Sequence, residues 1–268
     1  MGEQILQWNI RGFKQNFNFL QILIQKHLPL AIALQETRFS MAKSKKHTGD
    51  MDLFRGYTPY LKNDNEDSTQ HGVGILINNK YISSAVNIDF KVKSCQCIAV
   101  QVTLQDRCLT ICSLYRKSAE FFSKRDLDKI ISKLPKPFVI LGDFNAHSTL
   151  WGNDQTCEAG KEVEDFLNAN DNVAIFNTKA KTFLSSTHHT YSSIDLTLCS
   201  ADILLDYYWH VSDDLHGSDH FPIFLEKVDT DNHVDLLPQY NVKKPIGLNL
   251  ETSAFRNSNL TWLRTLTI

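Results

Sequence analysis

Short apolar runs that end abruptly in Asp, Asn, Glu or His recur along this chain, and they constrain its fold more than any other feature. The clearest is VILGDFNAH, residues 139–147, in which Val139, Ile140 and Leu141 lead through Gly142 to Asp143, Asn145 and His147. A short apolar run closed by glycine reads as a buried strand, and residues just past a strand's C-terminal end emerge where sites are commonly built.

The same pattern opens the chain. ILQWNI reads as a strand ending near Asn9, NFNFLQILIQKH as a helix stopped by Pro29, and LAIALQET as a second strand leading to Glu36. This is a β-α-β unit with polar residues at both strand ends. Residues 40–71 are polar and irregular, and GVGILINN, AVNIDF, CIAVQVTL and LTICSLY then follow as strands, with a turn at Gln105–Arg107. Ser118 is expected to cap a helix reaching Leu134, where Pro135 and Pro137 end it and hand the chain to VILGD. GKEVEDFLNAN reads as a helix and VAIFN, SIDLTLC, LLDYYWHV and FPIFLEK as strands. Strand, helix, strand and meander, twice over, predict an α/β fold of two β-sheets packed face to face with helices outside. Residues 1–228 form the expected domain. Beyond them the composition loses all period, so residues 229–268 are expected to be a tail or linker.

With 42% hydrophobic residues the chain can bury a sizeable core, and its net charge of −2 leaves any nucleic-acid contact to local basic patches. The six cysteines lack C-x-x-C spacing and several lie in strand-like runs, so they are expected to be reduced and mostly buried. No signal peptide and no run of roughly 18 apolar residues is present, which predicts an intracellular protein without a membrane span.

Five strand ends carry the unusual chemistry: Asn9, Glu36, Asp143 with Asn145, Asp195, and Asp219 with His220. Singly, each has an ordinary explanation: a solvated loop carboxylate, a turn asparagine, a satisfied core imidazole. Asp195 resists it, because a carboxylate inside IDLTL needs a partner or a metal. The convergence of carboxylates, amide and imidazole on one kind of position, from distant parts of the chain, points to an oxygen-rich site for a hard divalent cation.

In this order and at these spacings WNIRG, LQET, LGDFNAH, SIDLTL and GSDH resemble the endonuclease/exonuclease/phosphatase superfamily. GDFNAHSTLWG and KTFLSSTHHTYSSIDLTL resemble, within it, the endonuclease domain of non-LTR (LINE-type) retrotransposons. The resemblance implies a four-layer, deoxyribonuclease I-like α/β sandwich over about residues 4–226. It makes Glu36 the main ligand of Mg²⁺ (or Mn²⁺), with Asn9 and Asp219 near the metal. Asp143 would handle the attacking water, Asn145 would donate to a phosphoryl oxygen, Tyr115 would stand near the phosphate, and Asp195 would pair with His220. Thr182 and Ser192 match positions near the DNA. The implied activity is hydrolytic nicking of double-stranded target DNA that leaves a 3′-hydroxyl to prime reverse transcription, with the polymerase supplied by the parent element; a monomer in the nucleus is the implied setting.

Two departures stand out. Abasic-site repair enzymes carry a tryptophan where this chain has Ser192, which favours target nicking over repair. Where relatives have a proline pair after the tyrosine, this chain has Arg116 and Lys117, which leaves the loop less restrained and offers two cations to phosphates. The basic run at 43–47, with Arg38, is a further candidate for backbone contact. Adjacent His188 and His189 read as loop residues rather than ligands. The rival readings keep the fold but act on a lipid head group, or keep DNA binding without catalysis.

Overall fold

A computed structural model of the protein describes residues 3–39, 54–63, 71–88 and 92–228. Two six-stranded mixed sheets face each other. The first is ordered β13-β14-β1-β2-β4-β3, with β1 at Gln4–Asn9, β2 at Ala31–Gln35, β3 at Tyr57–Lys62, β4 at Val73–Asn78, β13 at Tyr207–Val211 and β14 at Ile223–Lys227. The second is ordered β5-β6-β7-β8-β12-β9, with β5 at Ile82–Val86, β6 at Cys95–Thr103, β7 at Cys108–Arg116, β8 at Phe138–Asp143, β9 at Val173–Ile175 and β12 at Asp195–Ser200. A small hairpin of β10 (Phe183–Ser185) and β11 (Thr190–Ser192) stands apart from both.

Helix α1 (Phe13–His27) buries Phe13, Leu20 and Leu23 on the outer face of the first sheet, where they meet Leu6, Trp8 and Ile32. Helices α2 (Lys124–Ile131) and α3 (Glu158–Ala169) cover the second sheet through Leu127, Ile130, Val163 and Phe166. Between the sheets, Ile5, Ala31 and Ala33 of one pack on Ile111, Val139 and Leu141 of the other. The result is the four-layer α/β sandwich, and its strands alternate because each face belongs to a different apolar layer.

Several element boundaries differ from those expected. Helix α2 is capped by Ser123 and not Ser118: Asp126 accepts from the Ser123 backbone N–H and hydroxyl, a reciprocal cap that the chain reaches only after a braced loop. The strand expected at AVNIDF lies earlier, at Ile82–Val86, pairing with β6. Edge strand β3 falls in a stretch read as irregular, because an edge tolerates Pro59 and polar residues that an inner strand would not. The start of LLDYYWHV is a 3₁₀ turn at Ala201–Asp206, and only Tyr207–Val211 is strand. The 43–47 basic run and the expected tail from 229 lie outside the described residues. All six cysteines are free thiols, four of them buried. Among the described residues no helix is long and apolar enough to cross a membrane.

Candidate active site

Register brings the chemistry to one rim. In the second sheet Asp143 lies directly between Tyr115 on β7 and Asp195 on β12. Gly142 makes this possible: a Cβ there would sit 1.9 Å from the Leu114 carbonyl oxygen, so only glycine lets β7 pass this close. In the first sheet Asn9 pairs with Gln35, and Glu36 follows at once with φ 47°, a left-handed turn that carries its carboxylate off the strand. His220 enters just before β14, its carbonyl accepting from the Trp8 indole at 3.0 Å.

Asn9 is the meeting point. Its amide donates to Asp143 Oδ2 at 2.9 Å and Glu36 Oε1 at 3.2 Å, and lies 3.4 Å from His220 Nε2. His220 Nδ1 sits 2.9 Å from Asp195 Oδ2, and Nε2 is 3.8 Å from Asp143 Oδ2. Asp143, Asp195 and His220 are all 5% exposed or less. Burial works against a charged imidazole, but Asp195 and Asp143, with the hydrogen bond to Asp195, outweigh it and push the His220 pKa up to about 9. For Asp143 burial dominates; Asp195 adds to it, His220 and two hydrogen bonds oppose it, and the pKa is pushed up to about 7. The site therefore holds a cationic imidazole beside a carboxyl poised near neutrality.

Glu36 differs. Burial would raise its pKa, but hydrogen bonds from Arg38 and Asn9 and the Arg38 charge hold it below the usual carboxylate value. Arg38 Nη2 lies 2.7 Å from Glu36 Oε2. The Tyr115 phenol bonds to Glu36, and burial together with the nearby carboxylates pushes its pKa up, so it stays protonated. His71 stacks on the Tyr115 ring at 5.2 Å.

Two donor sets could receive a cation. Asp143, Asp195 and His220 offer one ligand atom each within 4.8 Å of one another. His220, however, spends its Nδ1 on Asp195 and favours the protonated form, which cannot ligate. Glu36 is the better fit for Mg²⁺: a hard oxygen donor, kept ionised, whose charge already draws a cation in Arg38, while Asn9 supports it through its amide N–H and spends its own oxygen on the Arg11 N–H.

Four expected residues serve other ends. Asp219 faces Arg11 at 2.6 Å, an ion pair on the rim. Thr182 is fully buried, and its hydroxyl accepts from the N–H groups of Ile194 and Asp195, fixing the start of β12 instead of facing DNA. Arg116 is 7% exposed, and its guanidinium donates to the carbonyls of Asn145, Ser118 and Glu120. It therefore braces the loop that lacks prolines and is not available to phosphates. Asn145 answers by donating to the Arg116 carbonyl at 2.8 Å, while its backbone N–H donates to Asp143 Oδ1. Lys117 and Ser192 remain partly exposed at the surface. His188 and His189 lie in the turn of the β10–β11 hairpin.

Sequence reading did not single out the roles of His71, Ser218 or Trp8, and it grouped Arg38 with the basic run as a backbone contact, whereas Arg38 pairs with Glu36. Ser218 donates to the Asn9 carbonyl at 2.7 Å and accepts from the His220 N–H, tying two rim segments together. Arg38 and Ser218 had one usable signal, their place within two residues of Glu36 and His220.

A family profile described as endonuclease-reverse transcriptase matches residues 109–224. The RNA-directed DNA polymerase from mobile element jockey of Drosophila melanogaster is 22% identical over 178 residues; the match covers 66% of this chain and 18% of that protein. Among solved structures, the endonuclease domain of TRAS1, a telomere-specific non-LTR retrotransposon, superposes with a TM-score of 0.69 at 20% identity, covering 85% of this chain and 99% of that domain. The AP endonuclease LMAP from Leishmania major superposes with a TM-score of 0.60 at 12% identity, covering 84% and 87%.

Proposed function

We propose, from its similarity in sequence to the endonuclease-reverse transcriptase profile and the jockey polymerase and in fold to the TRAS1 endonuclease domain, that this chain is a Mg²⁺-dependent DNA endonuclease. It would hydrolyse one phosphodiester bond of a duplex and leave a 3′-hydroxyl. The observation that carries this reading is the buried pairing of His220 with Asp195 beside Asp143, under the same rim as Glu36, Asn9 and Tyr115.

Hydrolysis builds negative charge on the phosphoryl oxygens and on the departing O3′, so the site must supply fixed positive charge and donors. Imidazolium at His220, oriented by Asp195, donates from Nε2 toward a phosphoryl oxygen. Tyr115, protonated, is a second donor. Asp143 takes the proton of the attacking water: His220, already charged, has no lone pair to offer, whereas the raised pKa of Asp143 makes it a competent base near neutral pH. A cation held by Glu36, with Asn9 supporting that carboxylate, would supply positive charge for the departing O3′, which takes its proton from solvent. The freed 3′-hydroxyl suits DNA synthesis by a reverse transcriptase, a further expectation from the jockey relative, of whose length this chain spans 18%.

Supercoiled plasmid with Mg²⁺ tests the proposal. The expected result is nicked circles whose 3′ ends a polymerase extends, with activity abolished by EDTA. Plasmid that stays supercoiled with both Mg²⁺ and Mn²⁺ overturns it, and release of phosphate from a lipid head group by the same preparation would establish the lipid reading in its place.

A further inference from the structure

The strands that carry the site repeat a three-tier order between the sheets. In the second sheet the rim tier is Tyr115, Asp143 and Asp195, the next is Ser113, Leu141 and Thr197, and the third is Ile111, Val139 and Cys199. In the first sheet Asn9 and Gln35 stand level, then Gln7 and Ala33, then Ile5 and Ala31. The innermost tier is apolar, but polar groups intrude just beneath the rim. Gln35 Nε2 crosses the gap to Ser113 Oγ at 2.9 Å and the Leu141 carbonyl at 3.4 Å, and Ser113 Oγ returns to the Leu34 carbonyl at 2.9 Å. Farther along, Thr197 Oγ1 donates to Gln7 Oε1 at 3.2 Å and accepts from the Trp209 indole at 3.0 Å.

These bonds carry a cost. Both glutamines are fully buried, and Gln35 Oε1 and Gln7 Nε2 find no hydrogen-bond partner among the described residues. A buried polar pair replaced by apolar groups of the same shape is often as stable or more so. Apolar packing is non-directional, however, and does not fix how one sheet slides on the other. The site needs that fixed, because Asn9 and Glu36 come from the first sheet while Tyr115, Asp143 and Asp195 come from the second.

Resting on the nuclease reading above, we infer that Gln35, assisted by Gln7, is a positioning residue that sets the registry of the two sheets and so the geometry of the site built across them. It touches no substrate; it acts through the strand ends it locks together.

Gln35→Met tests this, because it keeps side-chain length, removes the crossing bonds and leaves Ser113 bonded to Leu34. The expected result is an unchanged or higher unfolding midpoint, an unchanged KM for plasmid, and a kcat lower by roughly ten- to a hundredfold, the scale on which small misplacement of reacting groups acts. In ¹⁵N-histidine-labelled protein the His220 Nδ1–H proton resonance should shift or broaden in Gln35→Met. In Thr110→Val, which alters the opposite face of β7, it should not. Parental kcat with an unmoved resonance overturns the inference, as does a kcat loss that only follows a loss of stability. Should the parent protein fail to nick DNA, the proposed function falls, and the resonance comparison still decides this point.

Discussion

The two ends of the sandwich both gather charge, yet they differ in how much of it is buried and how far it is balanced. At the far end Arg107 pairs with Asp206 at 2.5 Å and Lys227 with Glu3 at 3.1 Å, cation matched to anion and each about a quarter or more exposed on at least one partner. At the rim, Asp143, Asp195 and His220 are buried with two carboxylates to one imidazole. At the far end each charge has a partner of opposite sign with water at hand, whereas burial of unequal charge forces protons to redistribute at the rim. Clustered charge alone therefore does not mark a site; desolvated, unbalanced charge does.

The sharpest way to break this contrast is His220→Ala, which removes the imidazolium and is expected to lower the nicking rate by about two to four orders of magnitude in a plasmid assay. Asp195→Asn keeps the shape but not the charge that holds His220 protonated and oriented, and should lower kcat by about two orders of magnitude with KM little changed.

Stability against pH sharpens the contrast next. His220 has a folded pKa of about 9 against an ordinary 6.5, so its contribution is fully present below about 6.5 and is lost as pH rises through about 9. Asp143, raised from 3.8 to about 7, acts in the same direction at lower pH, because the folded state again binds the proton more tightly. Urea unfolding should show stability declining from pH 6 to 9, and the decline should flatten in Asp195→Asn. A parental profile that rises over this range would refute the assigned charges.

Thr182→Ala strips two N–H groups at the start of β12 of their acceptor, and should cost about 1–3 kcal/mol of stability with a smaller fall in kcat. The smallest effect belongs to the far end. Arg107→Ala should change stability by no more than about 1 kcal/mol and leave the nicking rate at the parental value.

Periodicity made the central strands legible: β1, β2, β7, β8 and β12 are buried on both sides, and such strands write themselves as short apolar runs. It failed for β3 and the β10–β11 hairpin, whose edge or surface positions demand no apolar run. Glu36, Asp143, Asp195 and His220 were visible as candidates because each ends or interrupts such a run. Their roles in chemistry rest on the proposal above. The side chains misjudged from sequence are those whose partners are distant or unforeseen. Nothing in SLYRKS announces that Arg116 turns inward to three carbonyls, and nothing near Thr182 announces the N–H groups of Ile194 and Asp195.

The sequence by itself determined which segments are strands buried on both faces and which polar residues stand at their ends, since local pattern and desolvation act residue by residue. Only the tertiary structure decided which of those residues meet, which cation serves as a brace rather than as a surface charge, and which histidine is held protonated. Those outcomes depend on register between strands and distance between sheets, and neither quantity is encoded within any single run of the chain.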